Sequence, residues 1–161
     1  MKFTKMQGLG NDYLYVWGPP PTDAAALSVR LSDRHFGPGA DGMIYIAPSN
    51  RADFRMWIFN ADGSEAKMCG NGIRCVGKYV HDKGCTRKTR LTIETGAGLR
   101  SLTLHLEDGK VTAAAVANGL CDSDCDVSVR CAGGELIVHY SDETVTLTGD
   151  TRLVYTGEIE Y

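Results

Sequence analysis

Basic residues are in short supply in this sequence: Lys and Arg total 17 against 20 Asp and Glu, a formal net charge of −3. A nucleic-acid binder needs a basic face to neutralise phosphates, so this balance argues against nucleic acid as a partner. It leaves room for a zwitterionic small molecule in a local pocket. Long apolar runs are also missing, and none approaches the roughly 20 residues that cross a bilayer. No membrane partner is therefore expected. The opening Met1-Lys-Phe-Thr-Lys-Met-Gln-Gly8 lacks the continuous apolar core of a signal peptide, which makes the cytoplasm the expected location.

Metal-ligand spacing is absent as well. Cys121 and Cys125 bracket Asp122 and Asp124, but no Cys-x-x-Cys pair or histidine cluster completes a zinc set. His35, His81, His105 and His139 are scattered along the chain and read as surface or strand positions. The six cysteines form an even count that admits a disulfide framework. Without a secretion signal, reduced thiols are the expectation.

What is present gathers around Asn60–Cys75, which reads Asn-Ala-Asp-Gly-Ser-Glu-Ala-Lys-Met-Cys-Gly-Asn-Gly-Ile-Arg-Cys. After Cys69 and its Gly70-Asn71-Gly72 comes a helix-period run: Ile73, Val76, Tyr79 and Val80 can share one face, and Gly84 stops it. Cys69 thus falls at or near a helix N-terminus, where free N–H groups and the macrodipole favour a thiolate. The glycines let backbone approach a ligand, and bare N–H groups there hold a carboxylate or phosphate. The competing reading is inert packing, since cysteine is among the most buried residue types. Cys75, well inside the helix, fits that reading better than Cys69 does.

This segment closely resembles the first active-site motif of the diaminopimelate epimerases, and Met6-Gln-Gly-Leu-Gly-Asn-Asp-Tyr13 resembles that family's N-terminal signature. Two motifs in the right order are far more specific than a lone glycine-rich loop. The resemblance implies Cys69 as a catalytic acid/base, Gly70 and Asn71 as the holders of the substrate's α-carboxylate, and Asn11 and Asn60 as substrate contacts. Read from the residues alone, Asn11 follows a glycine turn and Asn60 precedes Asp62-Gly63, so both also serve as turn formers. Where family members often carry a substrate-contacting glutamine, this chain has Gly42.

Taken in order, residues 2–7 read as a strand, Gly8-Leu-Gly10 as a turn and Tyr13–Trp17 as a second strand. Thr22 or Asp23 caps a helix running to about Arg34, with Leu27 and Leu31 buried. Strands follow at Met43–Ala47, Phe54–Phe59, Leu91–Thr95 and Leu99–Leu106, the last two joined by Gly96-Ala-Gly98. The series Gly84, Leu91-Thr-Ile93, Gly96–Gly98, Leu102, Leu104 is echoed by Gly119, Val127-Ser-Val129, Ala132–Gly134, Val138, Tyr140 at an offset of 35 to 36 residues. The echo makes Thr112–Asn118 the second part of a helix. Final strands are expected at Thr144–Leu147 and Leu153–Tyr161.

The fold class is α+β; by resemblance it comprises two pseudo-symmetric barrel-like halves, each wrapped round a central helix. Residues 1–111 match the first half and carry its cysteine. Residues 112–161 match only the tail of the second, whose last strand is expected to return to the first. The stretch that carries a second Cys-Gly-x-Gly in the family has no counterpart here. Cys121, Cys125 and Cys131 follow the place of the second helix and do not replace it.

Inverting an α-carbon needs a base on one face and an acid on the other, with the carbanion stabilised by fixed donors. No pyridoxal-type lysine is evident, so no cofactor is implied, and a thiol pair takes the place of that electron sink. The resemblance implies a cofactor-independent isomerase interconverting LL- and meso-diaminopimelate. The alternatives are a non-catalytic half-site lacking the second thiol, or a related amino-acid racemase. Unpaired strand edges in an incomplete second half favour self-association, hence a homodimer or poor solubility.

Overall fold

A computed structural model describes residues 1–118, 125–131, 133–140 and 145–160. The first two strands, β1 (Lys2–Gly8) and β2 (Asn11–Trp17), form an antiparallel hairpin in which Gly8 faces Asn11. Only Leu9 and Gly10 remain for the turn, with φ of 55° and 85°. Two positive φ values make a turn whose twist matches the flanking strands. Asn11 is thereby fixed as the first residue of β2. The helix α1 (Ala24–Ser32) follows, then β3 (Gly42–Pro48), β4 (Phe54–Asn60) and the short β5 (Glu65–Ala66). Asp23 occupies the α1 N-cap but its side chain makes no capping hydrogen bond, and the helix ends at Ser32, short of Arg34. Gly37 and Gly39 there bond back to the carbonyls of Asp33 and Leu31.

The second helix, α2 (Gly70–Asp82), leads into β6 (Arg90–Thr95), β7 (Gly98–Glu107) and β8 (Lys110–Asn118). Thr112–Asn118 is therefore strand, not helix. The cause is the two-residue turn Asp108-Gly109, with φ of 50° and 76°, which pairs Glu107 with Lys110 and sends the chain back along β7. Asp-Gly between alternating segments is a strong hairpin signal. It overrides the helical propensity of the alanines. The strands β9 (Cys125–Cys131) and β10 (Gly134–Tyr140) form a further hairpin, then come β11 (Val145–Asp150) and β12 (Arg152–Glu158). The echo holds at hairpin level: Thr95 faces Gly98 in the first copy, and Cys131 faces Gly134 in the second. Gly119 and Ala132 of that echo, Cys121, and Thr144 and Tyr161 of the final strands lie outside the described residues.

One sheet joins the strands in the order β12-β1-β2-β3-β4-β6-β7-β8-β11-β10-β9, with β5 paired to β4. The pairs β2/β3 and β4/β6 are parallel and the other pairings antiparallel. The last strand, β12, lies against β1, so the chain's two ends meet. The sheet curls into a nearly closed, barrel-like wrap around α2, which touches β1, β2, β7, β8 and β11. The boundary between residues 111 and 112 falls inside β8.

Alternation along β2 and β3 builds two cores. Tyr13, Tyr15, Ile44 and Ile46 point in with Ile73, Val76 and Val80 of α2. Leu14, Val16, Met43 and Tyr45 point out and are covered by Leu27 and Leu31 of α1. Both faces of these strands are buried, which is why they read as continuous apolar runs. No helix among the described residues is long and apolar enough to cross a membrane.

Candidate active site

Cys69 is the N-cap of α2, in extended backbone with φ −141° and ψ 116°. Its carbonyl accepts the first helical bond from Ile73 N at 2.9 Å, and its sulfur accepts from Gly72 N at 3.3 Å. The thiol thus takes the place a serine or aspartate oxygen takes at other helix starts. The first turn is anchored from below by the Tyr15 hydroxyl, which donates to the Gly72 carbonyl at 3.2 Å.

The β1–β2 turn brings Asn11 to the same point. Cys69 Sγ donates to Asn11 Oδ1 at 3.3 Å, while Asn11 Nδ2 donates to Asp41 Oδ2 at 2.7 Å. The Tyr13 hydroxyl lies within hydrogen-bond reach of Cys69 and Asn11; burial first, then the neighbouring thiol, hold its pKa well above the ordinary phenol value. It stays a neutral phenol at physiological pH. Asp41 also accepts from Asp12 N at 3.0 Å and from Arg34 Nη2 at 2.9 Å. Asp12 is itself pinned by Arg34 and by Lys5 Nζ at 3.0 Å.

Asn60 closes β4 and holds its own turn. Its N–H donates to the Ser64 carbonyl at 2.8 Å and its Nδ2 to Ser64 Oγ at 3.0 Å. The turn-forming reading is thus realised, and across the β3/β4 pairing Asn60 stands opposite Gly42. A Cβ built on Gly42 would overlap the Phe59 carbonyl oxygen and lie 2.9 Å from both Asn60 Cα and Tyr13 Cε1. With φ of +156°, the position has neither the space nor the backbone for a glutamine.

Gly70 and Asn71 open α2, and Gly70 N–H is among those left without an intrahelical partner. Asn71 Oδ1 accepts from Arg74 Nη2 at 2.6 Å. Arg74 is only 1% exposed, makes no ion pair among the described residues, and its Nε has no hydrogen-bond partner. Burial lowers its pKa, though an arginine stays charged. Arg74, Asp41 and Tyr13 had not been marked as site residues from the sequence. The signals were available: a lone arginine between Ile73 and Cys75 on a buried helix, and an aspartate beside Gly42.

Cys75 is fully buried and burial pushes its thiol up to about 12, so it is inert packing as its position suggests. Cys69, Cys75 and Cys85 are free thiols. Cys125 and Cys131 bound β9, and neither stands at a helix start. No cluster able to hold a metal is found among the described residues. Two sizeable grooves lie elsewhere, one of about 690 Å³ beside Trp17 and Lys83 and one of about 960 Å³ beside Lys78 and Arg152. Neither brings a thiol against fixed donors as the α2 start does.

A barrel-like sheet wrapped round a central helix defines an α+β fold, and at the N-cap of that helix this chain places a thiol. The structure superposes on a methylitaconate-delta-isomerase with a TM-score of 0.74 at 18% identity, covering 98% of this chain and 93% of that one, a likeness of fold. Residues 3–114 match the diaminopimelate epimerase family, and the chain belongs to it. It is 59% identical over 121 residues to the diaminopimelate epimerase of Agathobacter rectalis, covering 74% of this chain and 42% of that protein. It is 55% identical over 112 residues to that of Acetivibrio thermocellus, covering 68% and 40%. The chain therefore spans less than half the length of these relatives.

Proposed function

We propose that this chain carries one acid/base face of a cofactor-independent amino-acid epimerase that interconverts LL- and meso-diaminopimelate. The observation that supports it most directly is the Cys69 sulfur at the α2 N-cap, between the Gly72 N–H and the Asn11 amide. In the forward step the Cys69 thiolate takes the α-proton: the C–H bond breaks, an S–H bond forms, and the electron pair is left on the α-carbon. It delocalises into the α-carboxylate, which the N–H groups of Gly70 and Asn71 and the Asn71 amide face. Preorganised donors of this kind are each worth a few kcal/mol of barrier. In the reverse direction Cys69 is the acid. Asn11 and Asn60 orient the polar ends of the substrate. The enzyme works in the cytoplasm, in lysine biosynthesis, and takes a free amino acid as its partner.

Inversion also needs a second group on the opposite face of the α-carbon. Among the described residues α2 is the helix with a cysteine at its N-cap, and β8 takes up Thr112–Asn118, where the second part of a helix was expected. That favours a second reading, a half-site that binds and exchanges without inverting.

Incubation with LL-diaminopimelate in D2O separates the two. Inversion with α-deuterium uptake, lost in Cys69→Ser, supports the epimerase. Uptake with retention supports the half-site, and no uptake at all removes Cys69 as an acid/base. An intact mass of the purified protein, compared with the 17.4 kDa of this sequence, accompanies the assay.

A further inference from the structure

We propose that Asp41 is a positioning residue that sets the polarity of the Asn11 amide and so decides which end of it meets the Cys69 sulfur. The proposal rests on the acid/base reading of Cys69 and goes beyond it to what governs the thiol. The Asp41 carboxylate can only accept hydrogen bonds. Its Oδ2 takes Asn11 Nδ2 at 2.7 Å and Asp12 N at 3.0 Å. Its Oδ1 takes Arg34 Nη2 at 2.9 Å. The backbone is tied on both sides, with Asp41 N donating to the Asp12 carbonyl at 2.8 Å and its carbonyl accepting from Ala61 N at 2.9 Å. A carboxylate so fixed leaves Asn11 one orientation, NH2 toward Asp41 and Oδ1 toward Sγ. An asparagine without such a neighbour has two nearly equivalent orientations.

The consequence falls on the sulfur. Asn11 Oδ1 accepts from the S–H at 3.3 Å, and Gly72 N donates to the sulfur at 3.3 Å. The oxygen favours the protonated thiol and the N–H favours the thiolate, so the two contacts oppose one another. That balance suits a group that must hold a proton in one direction of reaction and release it in the other. Among the described residues the charged and titratable groups near this sulfur are few. They are the Tyr13 hydroxyl and the Tyr15 phenol from β2, and Arg74 and Cys75 from α2. The Asp41 carboxylate stands behind Asn11, and its charge also bears on the Tyr13 hydroxyl.

The test is the pH profile of Cys69 alkylation by iodoacetamide, read by peptide mass mapping so that other cysteines do not interfere. In Asp41→Asn, residue 41 can present either end of its amide, and the Asn11 NH2 becomes free to turn to the sulfur. The rate at pH 7 is expected to rise by about threefold or more, the change that half a pH unit brings, and the profile to move to lower pH. Arg34→Gln is the control: it removes the contact to Oδ1 and an ion pair to Asp12 but leaves Oδ2 facing Asn11. It is expected to lower the melting temperature without moving the profile. Should Asp41→Asn not fold, Asp41→Ser, whose hydroxyl both donates and accepts, carries the same expectation. An unmoved profile in the Asp41 variant, or an equal move in Arg34→Gln, overturns the proposal. Alkylation does not depend on turnover, so failure of the acid/base reading is seen separately, in the deuterium-uptake assay.

Discussion

Arg74 Nη2 donates to Asn71 Oδ1 at 2.6 Å, and among the described residues this is the one hydrogen bond of a guanidinium that is 1% exposed. Since arginine only donates, the Asn71 oxygen is held toward the interior and its NH2 is turned the other way. A buried cation without a carboxylate partner adds little to stability, and replacing buried ionic groups with apolar ones is often neutral or stabilising by about 1–4 kcal/mol. Arg74→Met is therefore expected to keep or raise the melting temperature while weakening binding of a carboxylate ligand such as meso-diaminopimelate by about tenfold or more. Thermal melts and calorimetric titration check the two halves. A large fall in melting temperature with unchanged affinity would make Arg74 a structural residue only.

Gly42 stands where a glutamine often stands in the family, which makes Gly42→Gln a direct question about backbone. The new Cβ would overlap the Phe59 carbonyl and crowd Asn60 Cα and the Tyr13 ring at 2.9 Å. Strained φ and overpacking each cost about 1–3 kcal/mol. The variant is expected to lose at least about 3 kcal/mol in urea unfolding and to displace Tyr13 from Cys69. An unchanged unfolding midpoint would mean that β3 and β4 shift at no cost.

Much of this was legible before any coordinates. The Cys69 helix start, the strands flanking it and the Gly96-Ala97 turn follow from local pattern, because glycines and period-3.6 or period-2 apolar spacing act over short distances. The Thr112–Asn118 helix failed for a physical reason. The internal echo was its basis and its alanines are compatible with helix locally, whereas the Asp108-Gly109 turn commits the chain to pairing with β7. Asp41 and Arg74 were missed because their roles are relational. Asp41 lies 30 residues from Asn11 in sequence and meets it only once β3 pairs beside β2. Gly42 was noted only as a departure from the family pattern; that a Cβ there has no room became visible only with Phe59 and Tyr13 in place.

Asp12 predicts a pH dependence at the acid end. Burial alone would raise its pKa, but hydrogen bonds and charges from Arg34 and Lys5 outweigh it and hold the carboxyl below the ordinary value. A depressed folded-state pKa contributes stability that is present above the unfolded value, about 3.9, and is lost as pH falls through the lower folded value. Stability is thus expected to decline below about pH 4. Asp12→Asn should flatten that part of the curve while lowering stability at pH 7. A parallel decline in parent and variant would assign the acid sensitivity to other carboxyls.

Cys75 sets the alkaline end, with the opposite sign. Burial pushes its thiol up to about 12, while the unfolded chain ionises near the ordinary value of about 8.5. Between these limits the unfolded state releases a proton that the folded state keeps, so stability falls as pH rises, by up to about 1.4 kcal/mol per pH unit. The window from about pH 8.5 to 10 separates the thiols from Tyr13 and Tyr15, which, also raised by burial, add the same sign only above the ordinary phenol value near 10. Cys75→Ala should remove most of the slope in that window; retention of the full slope would point to exposed Cys85, whose thiol burial also raises. The same burial predicts chemical selectivity: iodoacetamide at pH 8 is expected to label Cys69 in the folded protein and Cys75 only after urea unfolding. Equal labelling of both in the folded state would mean that α2 opens readily, and the Cys69 N-cap could not then hold fixed donors against a carbanion.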